Sequence, residues 1–392
     1  MFAFLCGARK FPGAIVAMLS LVWLTACGGG FTGIGGGGPT IDTSKPVPVA
    51  LLVPGGGGNA ADDALASSLE NAARLAMSEL DGVTIDLRVY NTAGNPNQTI
   101  TATAEAVREG AKIILGPVYA PNAAAAGSAA PGLNVLAFSN NPSVAGGNVF
   151  VLGNTFENTA SRLVRYAAAS GKGNILVVNG ENPAETLGRD AVLRAISTTS
   201  GASQAGVTSF EVSQTGVINA VPEITKAARS SGASSVFLTS GTDGAIPFLA
   251  QLLPENGLGP SQVQYIGLQR WDVPASARTL PGLQNGWFAM PDPGLQEQFQ
   301  QRYLGAYGSS PHAIAGLAYD GIAAIGALVK AGKADALTGA ALTQGQGFVG
   351  VNGVFRLLPN GTTQRGLAIA QVQNKEIAVI DPAPRSFAGA GY

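Results

Sequence analysis

The sequence is poor in charged side chains and has almost no cysteine or histidine. Of its 392 residues, 23 are Lys or Arg, 24 are Asp or Glu, 2 are Cys and 1 is His. A net charge of -1 offers no basic face that would release counterions from nucleic acid, so nucleic acid is not an expected partner. With so few thiols, a disulfide framework and a Cys-rich metal site are excluded. The shortages favour binding over catalysis, and no catalytic residue, metal or cofactor is predicted.

The first 26 residues have the pattern of an exported bacterial lipoprotein. A positively charged pair precedes an apolar stretch, Ile15–Leu24, that is too short to span a bilayer as a stable helix. The stretch ends in Leu-Thr-Ala-Cys, which resembles a lipobox, so residues 1–26 are predicted to be a signal peptide and Cys27 the lipidated residue. The alternatives are a plain secretory signal with an incidental cysteine, or a single membrane helix. Gly28 resembles the sorting position of outer-membrane lipoproteins, and a periplasmic protein anchored there by its lipid is expected.

A glycine-rich segment separates the predicted anchor from the rest of the chain. Residues 28–38 read GGGFTGIGGGG, and no core can form from such a composition. Glycine-rich chain behaves as a flexible coil. Residues 27–46 are therefore predicted to be a tether.

From Val47 onward, β-rich runs alternate with amphipathic segments. A strand is predicted at Val47–Pro54, a helix at Asn59–Leu80 and a strand at Val83–Asn91. A second series of the same kind begins after Val149–Thr155. Apolar strands between helices are typical of parallel sheets covered on both faces. The pattern predicts an α/β protein with two Rossmann-like lobes and a cleft between them.

The predicted bilobed domain spans residues 47–385. Its first lobe is expected at about 47–153 plus 290–345, and its second at about 154–289 plus 346–385. In the later part, helices are predicted at Val221–Ser231, after Asp292-Pro293 and after Ser310-Pro311, and strands joined by Asn-Gly and Asn-Lys turns follow.

Ligands of such sheets bind beyond the carboxyl ends of the parallel strands. Polar or aromatic residues in the loops expected there are the candidates for a cleft site: Tyr119, Asn122, Ser139, Asn140, Asn154 and Trp271. Trp271 is open to two interpretations, stacking on a ligand or packing between the lobes. The asparagines are also common turn residues.

Two patterns suggest chemistry, and each also has a simpler interpretation. Gly55–Ala60 matches G-x-G-x-x-A after a strand, but the next strand ends at Asn91 without the carboxylate that binds a ribose, so a strand-to-helix turn is favoured over dinucleotide binding. The sequence has no G-x-S-x-G motif that would supply a nucleophile for His312. We therefore favour a locally hydrogen-bonded histidine in the first turn of a helix over a catalytic base.

Several segments resemble the type I periplasmic binding proteins, the Leu/Ile/Val-binding superfamily. KIILGPVYAPNAAAA matches the strand, Gly-Pro turn and helix of that superfamily, LAYDGIAAIGALVKAG its late tyrosine-aspartate helix, and VNGVFRLLPNG its closing strand pair. The resemblance covers about residues 47–382. Within it, ILGPVYAPNAAAA followed by LNVLAFSNN is most similar to the LpoA-type lipoproteins that activate penicillin-binding proteins.

The resemblance implies the type I periplasmic-binding fold and a non-catalytic function. As an activator, the protein would bind a bifunctional penicillin-binding protein, the peptidoglycan synthase, and favour its active conformation. The alternative is a solute-binding lipoprotein of an ABC transporter or sensor, which would close on an amino acid or another small polar ligand by a hinge near Asn154 and Trp287–Asp292. The segment after the Gly-Pro turn, Val118–Asn122, has no hydroxyl except the Tyr119 phenol. This departure from the amino-acid-binding relatives disfavours an α-amino-acid ligand.

Overall fold

The computed structural model describes residues 37–387. The predicted signal peptide and the predicted lipidation site at Cys27 lie outside these residues. Within residues 37–387, no helix has both the length and the apolar character needed to cross a membrane.

The first sheet contains five parallel strands in the order β2-β1-β3-β4-β5. They are β1 (Val47–Val53), β2 (Ile85–Asn91), β3 (Ile113–Leu115), β4 (Val135–Ala137) and β5 (Val149–Val151). The three central strands β1, β3 and β4 are apolar and buried almost throughout, because helices cover both faces of the sheet.

The second sheet has seven strands in the order β15-β14-β10-β9-β8-β6-β7, and a third sheet has the order β11-β12-β13. The strands are β6 (Asn174–Gly180), β7 (Ser203–Phe210), β8 (Ser235–Leu238), β9 (Gln264–Gly267), β10 (Trp287–Met290), β11 (Phe348–Gly350), β12 (Gly353–Leu357), β13 (Thr363–Arg365), β14 (Ala368–Gln373) and β15 (Glu376–Asp381). From β7 to β10 the second sheet is parallel, whereas β14 and β15 are antiparallel. The predicted Asn-Gly and Asn-Lys turns join β11 to β12, β12 to β13 and β14 to β15.

Helices cover the sheets in pairs. They are α1 (Ala60–Ser78), α2 (Pro96–Arg108), α3 (Ala120–Ala129), α4 (Phe156–Ala169), α5 (Pro183–Thr198), α6 (Gln214–Ser230), α7 (Ile246–Glu255), α8 (Pro293–Tyr307), α9 (Gly316–Lys330) and α10 (Gly339–Leu342). On the first sheet, α1 and α9 share one core and α2 and α3 share the other. On the second sheet, α6 and α7 cover one face and α4 and α5 the other. This two-lobed α/β arrangement with parallel sheets confirms the predicted fold class.

Two predicted helix starts are wrong. The helix predicted at Val221 begins at Gln214, where Ser213 accepts a hydrogen bond from the Gly216 amide, and it continues through Pro222. Residues 311–315 form a loop because the His312 amide donates to Ser68 Oγ at 2.8 Å, so α9 begins only at Gly316. The start predicted at Asp292-Pro293 is confirmed, with Asp292 as the N-cap.

The chain passes between the two large sheets after β5, after β10 and between β13 and β14. The third sheet packs into the same core as α1 and α9, through Phe348, Phe355 and Leu357. The segment 346–385, expected in the second lobe, therefore joins the second sheet only at Ala368. The reason is that β11 and β12 bury their apolar side chains against the first lobe.

The end of the predicted tether is also held against the first lobe. Ile41 is buried, and its amide donates to Ala334 O at 2.9 Å. Asn134 Nδ2 donates to Gly37 O at 3.0 Å. Within residues 27–46, the part from 37 onward is thus bound to the lobe, because Ile41 contributes an apolar side chain that the core accepts.

Candidate functional site

A cavity of about 490 Å³ lies at the carboxyl ends of the first sheet's parallel strands. Val118 follows β3, Phe138 follows β4 and Gly153 follows β5, and all three line it. The strand ends can approach each other because of glycine: a Cβ at Gly153 would lie 2.6 Å from Ser139 O. Gly116, with φ of +87°, turns the chain out of β3 in a backbone conformation that other residues rarely adopt.

The second sheet reaches the same cavity at two points. Pro291 directly follows β10, and Leu367 directly precedes the antiparallel strand β14. Both points lie at the end of the sheet where β6, β8 and β9 also terminate, since these strands run parallel to β10. The two lobes therefore present the carboxyl ends of their parallel strands to one cleft, as open α/β sheets do.

The walls of the cavity are largely apolar, with polar groups between the apolar side chains. The apolar side chains include Val118, Phe138, Ile314, Leu317 and Leu367. The polar lining residues are Tyr119, Ser139, Asn140, Asn141, Asn154, Asn352 and Arg365. An apolar enclosure with a few placed polar groups is typical of small-molecule sites.

Four of the six residues predicted from sequence line this cavity: Tyr119, Ser139, Asn140 and Asn154. Asn154 is held by its neighbours, since its Nδ2 donates to Thr159 Oγ1 at 2.7 Å. Ser139 Oγ accepts from the Asn141 amide at 3.1 Å, which holds the loop after β4 in a turn. A direct contact of these residues with a ligand stays a prediction.

The other two predicted residues are not in the cavity. Asn122 is buried on the inner face of α3, where its Nδ2 donates to Thr99 Oγ1 at 2.8 Å and ties α3 to α2. Trp271 is fully buried in the second lobe's core, with its ring centroid 6.3 Å from that of Phe288. Gly267 and Gly286 leave the space that the indole occupies. Trp271 therefore packs inside one lobe, neither between the lobes nor against a ligand.

The sequence interpretation missed a buried ion pair beside the cavity. Arg365 Nη1 lies 2.8 Å from Asp320 Oδ2, and both side chains are almost fully buried. Arg365 Nε and Nη2 also donate to Leu152 O, while Asp320 accepts from the Val351 amide. The only signal in the sequence is that Asp320 lies within an apolar helix. Arg365 is 45 residues away along the chain, so no local pattern identifies it as the partner.

Tyr119 connects the cavity to the first turn of α1. Its hydroxyl donates to an Asp62 carboxylate oxygen, and Tyr119 itself lines the cavity. This hydrogen bond, together with partial burial and the charge of Asp62, raises the pKa of the Tyr119 phenol. The phenol is thus an oriented donor toward Asp62.

In the second lobe, Glu185 lies under the ends of β6 and β8. Its carboxylate accepts from the Gly180 amide at 2.6 Å, from Thr239 Oγ1 at 2.9 Å and from Ser240 Oγ at 2.6 Å. The side chain is buried, and its partners among residues 37–387 are all neutral. Their hydrogen bonds satisfy the buried carboxyl group at this end of the sheet.

His312 lies beside the cavity-lining residues Ala313 and Ile314. Its side chain is exposed, and Nδ1 accepts a long bond of 3.4 Å from the Ile314 amide. Among residues 37–387 no serine or carboxylate hydrogen-bonds to this ring. The geometry is that of a locally bonded loop histidine.

Solved structures share this architecture. A structure from Rhodospirillum rubrum, assigned to a branched-chain amino acid ABC transporter, is 18% identical with a TM-score of 0.72, covering 86% of this chain and 100% of that one. An ABC transporter substrate-binding protein from Sphaerobacter thermophilus is 20% identical with a TM-score of 0.64, covering 87% and 98%. A substrate-binding protein from Desulfitobacterium hafniense, in complex with Leu, is 15% identical with a TM-score of 0.61, covering 86% and 100%. At these identities the likeness shows the fold.

A search of curated proteins found no match. A model of the periplasmic binding protein family matches residues 46–376, which is most of the chain. The resemblance to type I periplasmic binding proteins is thereby confirmed, and periplasmic localisation follows from it. The narrower similarity to LpoA-type activators stays a prediction. The chain belongs to the periplasmic binding protein family.

Proposed function

We propose that this protein is a non-catalytic binding protein that captures a small ligand in the cleft between its lobes and presents it to a transporter or sensor. The observation that carries the proposal is the apolar cavity of about 490 Å³ at the carboxyl ends of β3, β4 and β5. It lies where the chain passes between the lobes, since Asn154, Pro291 and Leu367 all line it.

Closure of the lobes would convert ligand binding into a signal. A ligand that contacts both walls binds the closed state more tightly than the open one and shifts the population toward it. The segments at Asn154, at Pro291 and at Leu367 join the lobes and line the cavity, so rotation at these points would alter its size directly.

Activation of a peptidoglycan synthase is the competing function. Its support is the sequence similarity of residues 114–141, and of the closing segment 353–387, to LpoA-type lipoproteins, whereas the solved structures with this fold come from transporter binding proteins. The ligand-binding function therefore has the broader support. Retention of a bifunctional penicillin-binding protein on immobilised protein, together with faster crosslinking by that enzyme, would reverse this preference.

The experiment that tests ligand capture is a thermal-unfolding screen of the purified protein with small neutral, cationic and anionic compounds. A ligand that binds the native state raises the midpoint in proportion to the logarithm of its concentration. Small-angle scattering with a stabilising compound should then show a smaller radius of gyration. If no compound stabilises the protein, the proposal fails.

Membrane attachment is a separate proposal. Cys27 would carry the lipid, and Gly28 would direct the protein to the outer membrane. Incorporation of labelled palmitate, its loss in Cys27→Ser, and separation of inner and outer membranes on a sucrose gradient test both parts. Label retained in Cys27→Ser would contradict the assignment of the anchor.

A further inference from the structure

We infer that the cleft selects a small organic cation with an apolar body, an amine in preference to a carboxylate. The inference rests on the proposed function and names the ligand class of the same cavity.

In the part of the chain that the structure describes, no cationic side chain without an ion-pair partner lines the cavity. Among residues 37–387, Arg365 is the only charged residue that lines it, and each of its three guanidinium nitrogens donates to a protein oxygen, either of Asp320 or of Leu152. Its side chain is 3% exposed. A ligand carboxylate would have to compete for this guanidinium with Asp320, which is itself fully buried.

The other cationic groups near the strand ends are also occupied. Arg270 follows β9 and is paired with Asp272, with Nη2 and Oδ2 2.5 Å apart. An amino-acid zwitterion would therefore find no partner for its carboxylate on the described cleft surface except neutral donors.

Carboxylates, in contrast, lie behind one wall residue of the first lobe and at the strand ends of the second lobe. Asp62 accepts from the hydroxyl of Tyr119, a residue of the cavity wall. On the second lobe, the Glu185 carboxylate is held under the ends of β6 and β8 by neutral donors. Glu181 and Asp243 are exposed in the loops after these two strands and form no ion pair within residues 37–387.

The low dielectric of the two lobes strengthens the electrostatic attraction between these carboxylates and a cation in the cleft. A cleft bordered by one sign of charge concentrates the field between its walls and raises the local concentration of the opposite ion. Because β6 and β8 end on the side where β10 leads into Pro291, lobe closure brings Glu181 and Asp243 toward the cavity. A ligand could place its ammonium group on the second-lobe side, near Glu181 and Asp243. Its apolar body would then pack against Val118, Phe138 and Ile314.

The test is a set of matched probes on three carbon skeletons, isobutyl, benzyl and indolylmethyl, each carrying an amine, a carboxylate or a neutral amide. We expect thermal stabilisation to fall in the order amine, amide, carboxylate at low salt. The advantage of amine over amide should shrink as ionic strength rises. Isothermal titration of the best amine then supplies a Kd for the variants.

Glu181→Gln and Asp243→Asn should each weaken binding of that amine about threefold to tenfold and leave the amide unaffected. Glu223→Gln removes the same charge from the exposed middle of α6 and is the matched control, with no expected change. Stronger stabilisation by the carboxylates would overturn the inference while leaving ligand capture intact. If neither variant nor added salt changes the affinity for the amine, the electrostatic basis of the inference is wrong. If no probe stabilises the protein, both the inference and the proposed ligand capture are wrong.

Discussion

Asp320 and Arg365 form a buried ion pair that joins α9 to the crossing between β13 and β14. Arg365 Nη1 and Asp320 Oδ2 are 2.8 Å apart, and the side chains are 3% and 0% exposed. The same guanidinium donates to Leu152 O at the crossing after β5. One side chain therefore connects two of the points where the chain passes between the lobes with the helix core of the first lobe.

Breaking this pair is expected to destabilise the protein strongly. Asp320→Asn leaves the Arg365 charge buried without its counter-charge, and removing one partner of such a pair costs about 3–5 kcal/mol. Urea unfolding measures the loss. Asp81→Asn is the control, because Asp81 pairs with Lys330 on the surface at 94% and 60% exposure, where a pair contributes less than about 1 kcal/mol. Equal losses in the two variants would contradict the role of the buried pair.

Filling the cavity should abolish ligand binding without unfolding the protein. Ala313 is exposed and lines the cavity, so Ala313→Trp places an indole in the space a ligand would occupy. The expected result is loss of ligand-induced thermal stabilisation, with an unfolding midpoint close to that of the parent. Ala124→Trp, on the exposed face of α3, is the matched control. Retained binding in Ala313→Trp would show that the ligand site lies elsewhere.

Trp271 should affect stability and not ligand contact. Trp271→Phe leaves a void in the second lobe's core, and we expect it to cost less than the about 3–5 kcal/mol that is typical of a Trp→Ala change. Denaturant unfolding measures this loss, and titration with a ligand at a temperature where both proteins are folded should give an unchanged Kd. A large loss of affinity with unchanged stability would instead support the stacking interpretation.

The Tyr119 phenol should titrate above its ordinary range. Its hydrogen bond to Asp62, with partial burial and the charge of that carboxylate, raises the pKa in the folded protein. Because the folded value is above the unfolded one, the associated stability is present below the unfolded pKa and is lost as pH rises through the folded pKa. Asp62→Asn should therefore lower the Tyr119 pKa, as measured by NMR titration of the labelled ring. No change in Asp62→Asn would exclude this hydrogen bond in solution.

Local patterns predicted most of the elements. The strand at Val47 and the helix that follows it were found because apolar periodicity and capping residues act over a few positions. Helix α6 begins before the predicted Val221: a proline such as Pro222 is typical of a helix boundary, but the tertiary packing of Val217 and Val221 keeps the helix intact. Here the packing of the core, and not the local preference of proline, determines where the helix begins.

The cleft was predicted in part. The loops after β3, β4 and β5 could be located, since parallel strands end at one edge, and Tyr119, Ser139, Asn140 and Asn154 do line the cavity. The sequence did not indicate which side chains of those loops face the cavity. Asn122 faces Thr99 on a neighbouring helix, and Trp271 occupies space left by two glycines from separate segments.

By itself, the sequence determined the alternation of strands and helices, the parallel character of the sheets, the tight turns of the last strands and the scarcity of reactive groups. These properties depend on short-range periodicity, turn chemistry and composition. The tertiary structure alone decided that the third sheet joins the first lobe and that Arg365 pairs with Asp320. Those outcomes depend on contacts between residues that are far apart in the sequence. An unpaired charge or a void in the buried core costs free energy, so the fold that avoids both is the stable one.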